Sequence, residues 1–232
     1  MKTDVAEISM NLYNKKNADY FSHARTEIEP LLPKEKALPL RALEIGCAEG
    51  HTLAWLKRTG YCNWVAGVEP YAELGANVDA IDQFFKLDIE KGFPNIPPAS
   101  IDLILCLDVL EHLIDPWKTI RRLDGLLKPG GTLIISLPNI RNYHVLFDLA
   151  FRGKFSYAES GILDRTHLRF FTRATAIELA ESAGATVTAV VGTETSRWQK
   201  RMLGAIGLRD LIAKQFLLSA TKPGPTPRIE IR

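Results

Sequence analysis

Three acidic residues, two histidines and one small-residue turn carry the chemistry legible in this chain. The run Arg41-Ala42-Leu43-Glu44-Ile45-Gly46-Cys47-Ala48-Glu49-Gly50 reads as a short buried strand that turns through small residues toward a helix. Glycine has no Cβ, so Gly46 and Gly50 let a ligand lie against the backbone, and Glu44 supplies negative charge beside it. A dinucleotide fingerprint would place glycines at 46, 48 and 51; Ala48 and His51 stand at the last two, which weakens a nicotinamide or flavin reading. Glu69 follows at the end of a second strand, where an acid can accept hydrogen bonds from both hydroxyls of a ribose. The plainer reading is a solvated Glu ahead of Pro70. Asp88 closes a third strand in Lys86-Leu87-Asp88-Ile89-Glu90. Its carboxylate can accept from an adenine amino group while Ile89 packs on the ring; the alternative is an Asp that caps a turn.

Proton transfer has two candidates. His112 leaves a fourth strand in Leu107-Asp108-Val109-Leu110-Glu111-His112, with an intrinsic pKa suited to taking a proton from a hydroxyl near neutral pH. His167 lies in Asp164-Arg165-Thr166-His167-Leu168-Arg169-Phe170-Phe171-Thr172, where pairing with Asp164 or another carboxylate would make it a general base. Arg165 and Arg169 can grip a phosphate or carboxylate bidentately. The competing reading is a structural clip with Phe170 and Phe171 in the core and the charges solvated. Asn139, Asn142, Tyr143 and His144 are further substrate-side candidates.

These residues need a scaffold that gathers strand ends. Apolar runs predict strands at Ala42–Ile45, Trp64–Val68, Gln83–Leu87, Ile101–Leu107 and Gly131–Leu137, alternating with helices at Gly50–Arg58, Tyr71–Val78 and Trp117–Leu127. Such alternation argues a parallel sheet covered on both faces. Residues 5–32 read as one or two helices broken by Pro30 and Pro33. Residues 139–171 are rich in aromatics, show no clear strand and read as a lid. Thr172–Ala183 reads as a helix, and Thr186–Val191 and Phe216–Thr221 as closing strands. The division expected is a lead-in cap at 1–38, a ligand-binding domain at 39–222 and a flexible tail at 223–232.

Composition narrows the class. The 232 residues are 46% hydrophobic and 24% charged with a net charge of +2, which suits one soluble domain and gives no basic footprint for nucleic acid. Cys47, Cys62 and Cys106 are too widely spaced for a disulfide framework or zinc site. No His/Cys cluster argues for a metal, although a carboxylate site using Asp108 stays open. No apolar run spans a bilayer and no secretory core opens the chain, so the cytoplasm is the expected compartment.

Four segments in order resemble the class I methyltransferases that use S-adenosylmethionine (SAM), in particular the small-molecule branch related to ubiquinone-biosynthesis O-methyltransferases. They are Leu43 to Gly50, Gly67-Val68-Glu69-Pro70, Leu107 to Leu113, and Leu127-Lys128-Pro129-Gly130-Gly131-Thr132-Leu133. Ser136-Leu137-Pro138-Asn139 and the Asp164 to Thr172 run are similar to a subgroup associated with bacterial cell-surface sugar pathways. The resemblance implies a Rossmann-like, seven-stranded, mostly parallel α/β sheet with helices on both faces and one antiparallel strand. It implies SAM contacts at Glu44, Gly46, Cys47, Gly50, Glu69, Pro70, Asp88, Ile89 and around Leu107. Tyr20 and Arg25 stand where lead-in residues close over SAM. Ala48 departs from the usual glycine. The absence of an Asn/Asp-Pro-Pro-Tyr/Phe motif argues against base-amino or glutamine-amide methylation. The expected activity is methyl transfer to a hydroxyl of a sugar-like or phosphorylated small molecule. N-methylation of a small molecule and a non-catalytic SAM-binding scaffold are the alternatives. Whether the chain forms a homodimer stays open.

Overall fold

The computed structural model describes residues 23–33, 39–71, 79–193 and 208–224. The sheet has seven strands: β1 (Leu40–Ile45), β2 (Cys62–Val68), β3 (Gln83–Phe85), β4 (Ile101–Leu107), β5 (Leu127–Pro138), β6 (Thr186–Gly192) and β7 (Gln215–Thr221). Among the described residues four α-helices accompany them: α1 (His51–Arg58), α2 (Pro116–Asp124), α3 (Tyr143–Arg152) and α4 (Arg173–Glu181). The strand order is β3-β2-β1-β4-β5-β7-β6. β7 pairs antiparallel with both β5 and β6, so it alone runs against the others. The expected fold class is borne out. The order reverses between β1 and β4, and the crevice beyond their carboxyl ends is where such sheets bind ligands.

β4 explains why its sequence carries no polar alternation. Leu103, Leu105 and Leu107 pack into one core with Leu53 and Leu56 of α1. Ile101, Ile104 and Cys106 pack into a second core with Ile120 and Leu123 of α2 and Leu179 of α4. Side chains alternate between the sheet faces, and both faces are covered by helices. Gly50 stands at the N-cap of α1 with φ +77°, a left-handed conformation natural to glycine. Asp115 caps α2 by accepting from Lys118 N, and Thr172 and Thr175 close a reciprocal cap on α4.

Some expected elements shift. α2 ends at Asp124 rather than Leu127, because Leu127 already pairs with Ile101 in the sheet. Of the lead-in helices, the described part holds a 3-10 turn at Thr26–Leu31 that accommodates Pro30 and buries Ile28 and Leu31. Most of the helix expected at Tyr71–Val78, the tail from 225 onward and Tyr20 lie outside the described residues. The stretch 139–171 contains a helix, α3, that the sequence reading lacked. Its two ends meet where Ile140 N donates to Phe171 O at 2.9 Å. No helix among the described residues is long and apolar enough to cross a membrane.

Candidate active site

A cavity of about 410 Å³ opens at the carboxyl edge of the sheet. Gly46 contributes from the exit of β1, Glu69 and Pro70 from β2, Asp88 and Ile89 from the loop after β3, and Asp108, Val109 and His112 from the exit of β4. Gly46 is required here on two counts. Its φ is +69°, and a Cβ would stand 2.3 Å from Val109 Cγ2. Ala48 adopts φ +46° without being glycine, so the departure noted in the sequence stores local backbone strain.

Glu69 is 2% exposed and held by two backbone amides: Ala48 N donates to one carboxylate oxygen at 3.1 Å and Tyr71 N to the other at 2.9 Å. The carboxylate thus ties the β1 turn to the end of β2 and is fixed before any ligand arrives. Asp88 accepts from Glu90 N at 3.0 Å, and Lys91 Nζ lies 3.3 Å from its second oxygen. Glu90 in turn accepts from Ile114 N and Asp115 N at 3.1 and 2.9 Å, which pins the loop after β4 against the exit of β3. Ile45, Val68, Leu87 and Leu113 complete an apolar lining.

Glu44 is one layer deeper than the sequence suggests. It is 3% exposed, does not line the cavity, and its Oε2 accepts no hydrogen bond among the described residues. Burial pushes its carboxyl up to about 8, against the pull of Arg25 and Thr52 and with a further push from Glu69. Cys47, Gly50 and Leu107 likewise support the turn and strand ends without lining the cavity. Burial pushes the Cys47 thiol up, as it does Cys106. Arg25 reaches over the strand ends. Its backbone N donates to Thr52 Oγ1 at 3.2 Å, and its guanidinium donates to Asp108, Glu27 and Ser136 Oγ.

The two histidines meet edge to face, with ring centroids 4.8 Å apart. His112 lines the cavity, and its Nδ1 lies 3.1 Å from Thr166 O. A carbonyl can only accept, so Nδ1 carries the proton and Nε2 is the basic atom. His167 is 7% exposed and outside the lining; its Nδ1 faces Ile162 O at 3.0 Å and its Nε2 stands 3.9 Å from Glu111 Oε1. Glu111 is thus a carboxylate that faces His167, while Asp164 Oδ1 accepts from Thr166 N and Thr166 Oγ1. Glu111, His112 and His167 place ligand-type atoms within 4.8 Å of one another, a set able to hold a metal ion. Two of its members are adjacent and the third is 55 residues away, so only the fold unites them.

The substrate-side candidates fare differently. Asn139 is fully buried: its amide donates to Asp210 O and Ala213 O and accepts from Arg141 N, so it braces the 208–215 segment instead of facing a ligand. Asn142 caps α3. Tyr143 is exposed on α3 with its ring 3.9 Å from that of His144, and neither lines the cavity. Arg165 pairs with Glu159, and Arg169 donates to Ile114 O while lying over Trp117, so neither reaches the cavity. Thr166 and Leu168 of the same segment do line it, together with Lys91, Lys118 and Arg122, none of which the sequence reading singled out.

A family profile described as a methyltransferase domain matches residues 14–190. The chain belongs to the methyltransferase-domain family. Among curated relatives, a ubiquinone biosynthesis O-methyltransferase of Xanthomonas campestris pv. campestris (strain B100) is 32% identical over 108 residues, covering 44% of this chain and 45% of the relative. One of the same name from Aeromonas salmonicida (strain A449) is 28% identical over 150 residues, 62% of each. The methyltransferase domain thus spans about half the length of the curated relatives it matches. The fold is also that of a SAM dependent methyltransferase from Archaeoglobus fulgidus, with a TM-score of 0.61 at 17% identity over 85% of this chain and 92% of the other. An S-adenosylmethionine dependent methyltransferase from Mesorhizobium loti gives 0.59 at 18% over 84% and 96%.

Proposed function

We propose that this methyltransferase domain binds SAM in the 410 Å³ cavity and transfers its methyl group to a hydroxyl of a small-molecule acceptor, sugar-like or phosphorylated. The observation that carries the reading is the order of side chains around the cavity. A Cβ-free turn at Gly46, a fixed carboxylate at Glu69, and Asp88 with Ile89 follow one another across β1, β2 and β3. That sequence of surfaces suits an aminoacyl chain, a ribose diol and an adenine. The family match and the O-methyltransferase names of the relatives support the same chemistry.

SAM supplies an electrophilic methyl on a sulfonium. The chain's own work is to hold the acceptor in line with it, exclude water and remove one proton. His112 takes that role in our reading: it lines the cavity and its tautomer is set by Thr166. His167 holds the lid segment against Glu111 and positions His112 through the edge-to-face contact.

The test is release of S-adenosylhomocysteine from SAM across a panel of sugars, sugar phosphates and phenols. Acceptor-dependent release supports the reading. Tight SAM binding with no release on any hydroxyl acceptor, but release on amines, would replace it with N-methylation.

A further inference from the structure

Arg25 is joined to Asp108, which lines the cavity, in a way that the transfer reaction alone does not require. Asp108 is the first residue after β4 and has φ +57°, a conformation that is costly for any residue with a Cβ and least so for Asp and Asn. Its carboxylate collects donors from three parts of the chain: Arg25 before β1, Ser136 Oγ of β5 at 2.9 Å, and Gln215 Nε2 of β7. It also lines the cavity. The pair is partly shielded, with Arg25 26% and Asp108 19% exposed at the side chain.

Arg25 is anchored at the other side by its backbone bond to Thr52, in the first turn of α1 and directly beyond the Gly46–Gly50 turn. Its charge bears on Glu44 at the end of β1 as well as on Asp108. The guanidinium therefore stands between the place where an aminoacyl chain would lie and the strand end that faces an acceptor. Its Nε and both terminal nitrogens already donate, to Glu27, Asp108 and Ser136. A further carboxylate would be the third at this guanidinium, after Glu27 and Asp108, and carboxylates packed around one guanidinium repel one another.

We propose that Asp108 and the carboxylate of the cofactor compete for Arg25, so that cofactor binding releases Asp108 to face the acceptor. This rests on SAM being the cofactor. Asp108 loses little by the exchange, because Ser136 and Gln215 still donate to it. Once released it is a carboxylate on the cavity wall, one residue from Val109 and four from His112. There it accepts from an acceptor hydroxyl and disfavours an acceptor that carries negative charge at that point. Cofactor binding then precedes productive acceptor binding.

The experiment is isothermal titration of the full chain with two probes: S-adenosylhomocysteine, which carries the carboxylate, and 5′-methylthioadenosine, which lacks it. Asp108→Asn keeps the shape and tolerates the backbone conformation; Asp108→Gly removes the side chain at a φ that glycine adopts freely, and serves if the first variant melts early. Removing the competitor is expected to tighten S-adenosylhomocysteine binding roughly threefold to fivefold, the strength of a partly exposed ion pair, and to leave 5′-methylthioadenosine unchanged. In an Arg25→Gln background the same Asp108 changes should have no effect. Unchanged or weaker S-adenosylhomocysteine binding in folded Asp108 variants overturns the proposal while the cofactor assignment stands. Wild type that binds neither probe overturns both.

Discussion

His112 and His167 share an edge-to-face contact at 4.8 Å between ring centroids, yet only His112 looks into the cavity. In the proposed reaction His112 takes the proton and His167 braces the 139–171 segment. His112→Ala should lower turnover by roughly 10²–10⁴-fold with little change in S-adenosylhomocysteine affinity. His167→Ala should instead cost about 1–3 kcal/mol of stability through loss of its buried hydrogen bond. Turnover and thermal melting on both variants check this; the reverse pattern would return the base to His167.

The β1 turn gives a pair of opposite outcomes. Gly46→Ala forces a Cβ against Val109 at φ +69° and should destabilise by roughly 1–3 kcal/mol. For a chain of this size that is a fall of about 2–4 °C in Tm per kcal/mol. Val109→Ala should recover only the steric part. Ala48→Gly relieves φ +46° and should raise Tm, by up to about 1 kcal/mol in stability. A lower Tm for Ala48→Gly would mean that the positive φ is not strained.

Glu44 makes stability depend on pH in a direction unusual for a carboxylate. Its folded pKa of about 8 lies above the ordinary 4.5, so between those values the folded chain holds a proton that the unfolded chain has lost. Its contribution is fully present below about 4.5 and is lost as pH rises through about 8. Glu44→Gln, which stays neutral, should melt higher than wild type at pH 8 and close to it at pH 4.5. Melting curves of both proteins across that range decide it; parallel curves would show that Glu44 is ionised when folded.

What the sequence revealed depended on how strongly burial constrained it. β4 was legible to the residue because every side chain of Ile101–Leu107 except Asp102 is buried, leaving an unbroken apolar run. Glu69, Asp88 and Ile89 were legible because strand ends converge in this architecture whatever surrounds them. α3 was not, because none of its residues is buried and no apolar stripe needed to repeat. Its signals were Asn142 at the start and Gly153, at φ +61°, just past the end. Arg165 and Arg169 looked like ligand-gripping residues because charge in a lid reads the same whether it meets a ligand or, as here, Glu159 and the Ile114 carbonyl. The Glu111–His167 approach was invisible because it joins segments that only tertiary packing brings together.

Isothermal titration of SAM and S-adenosylhomocysteine into wild type and Glu69→Gln asks whether Glu69 holds the ribose of SAM in this cavity, as proposed. Wild type should bind both at micromolar concentration, and a variant that remains folded should lose at least tenfold, as a charge-assisted pair of hydrogen bonds implies. Wild type that takes up neither ligand at millimolar concentration, or a folded Glu69→Gln variant that binds as wild type does, would contradict it.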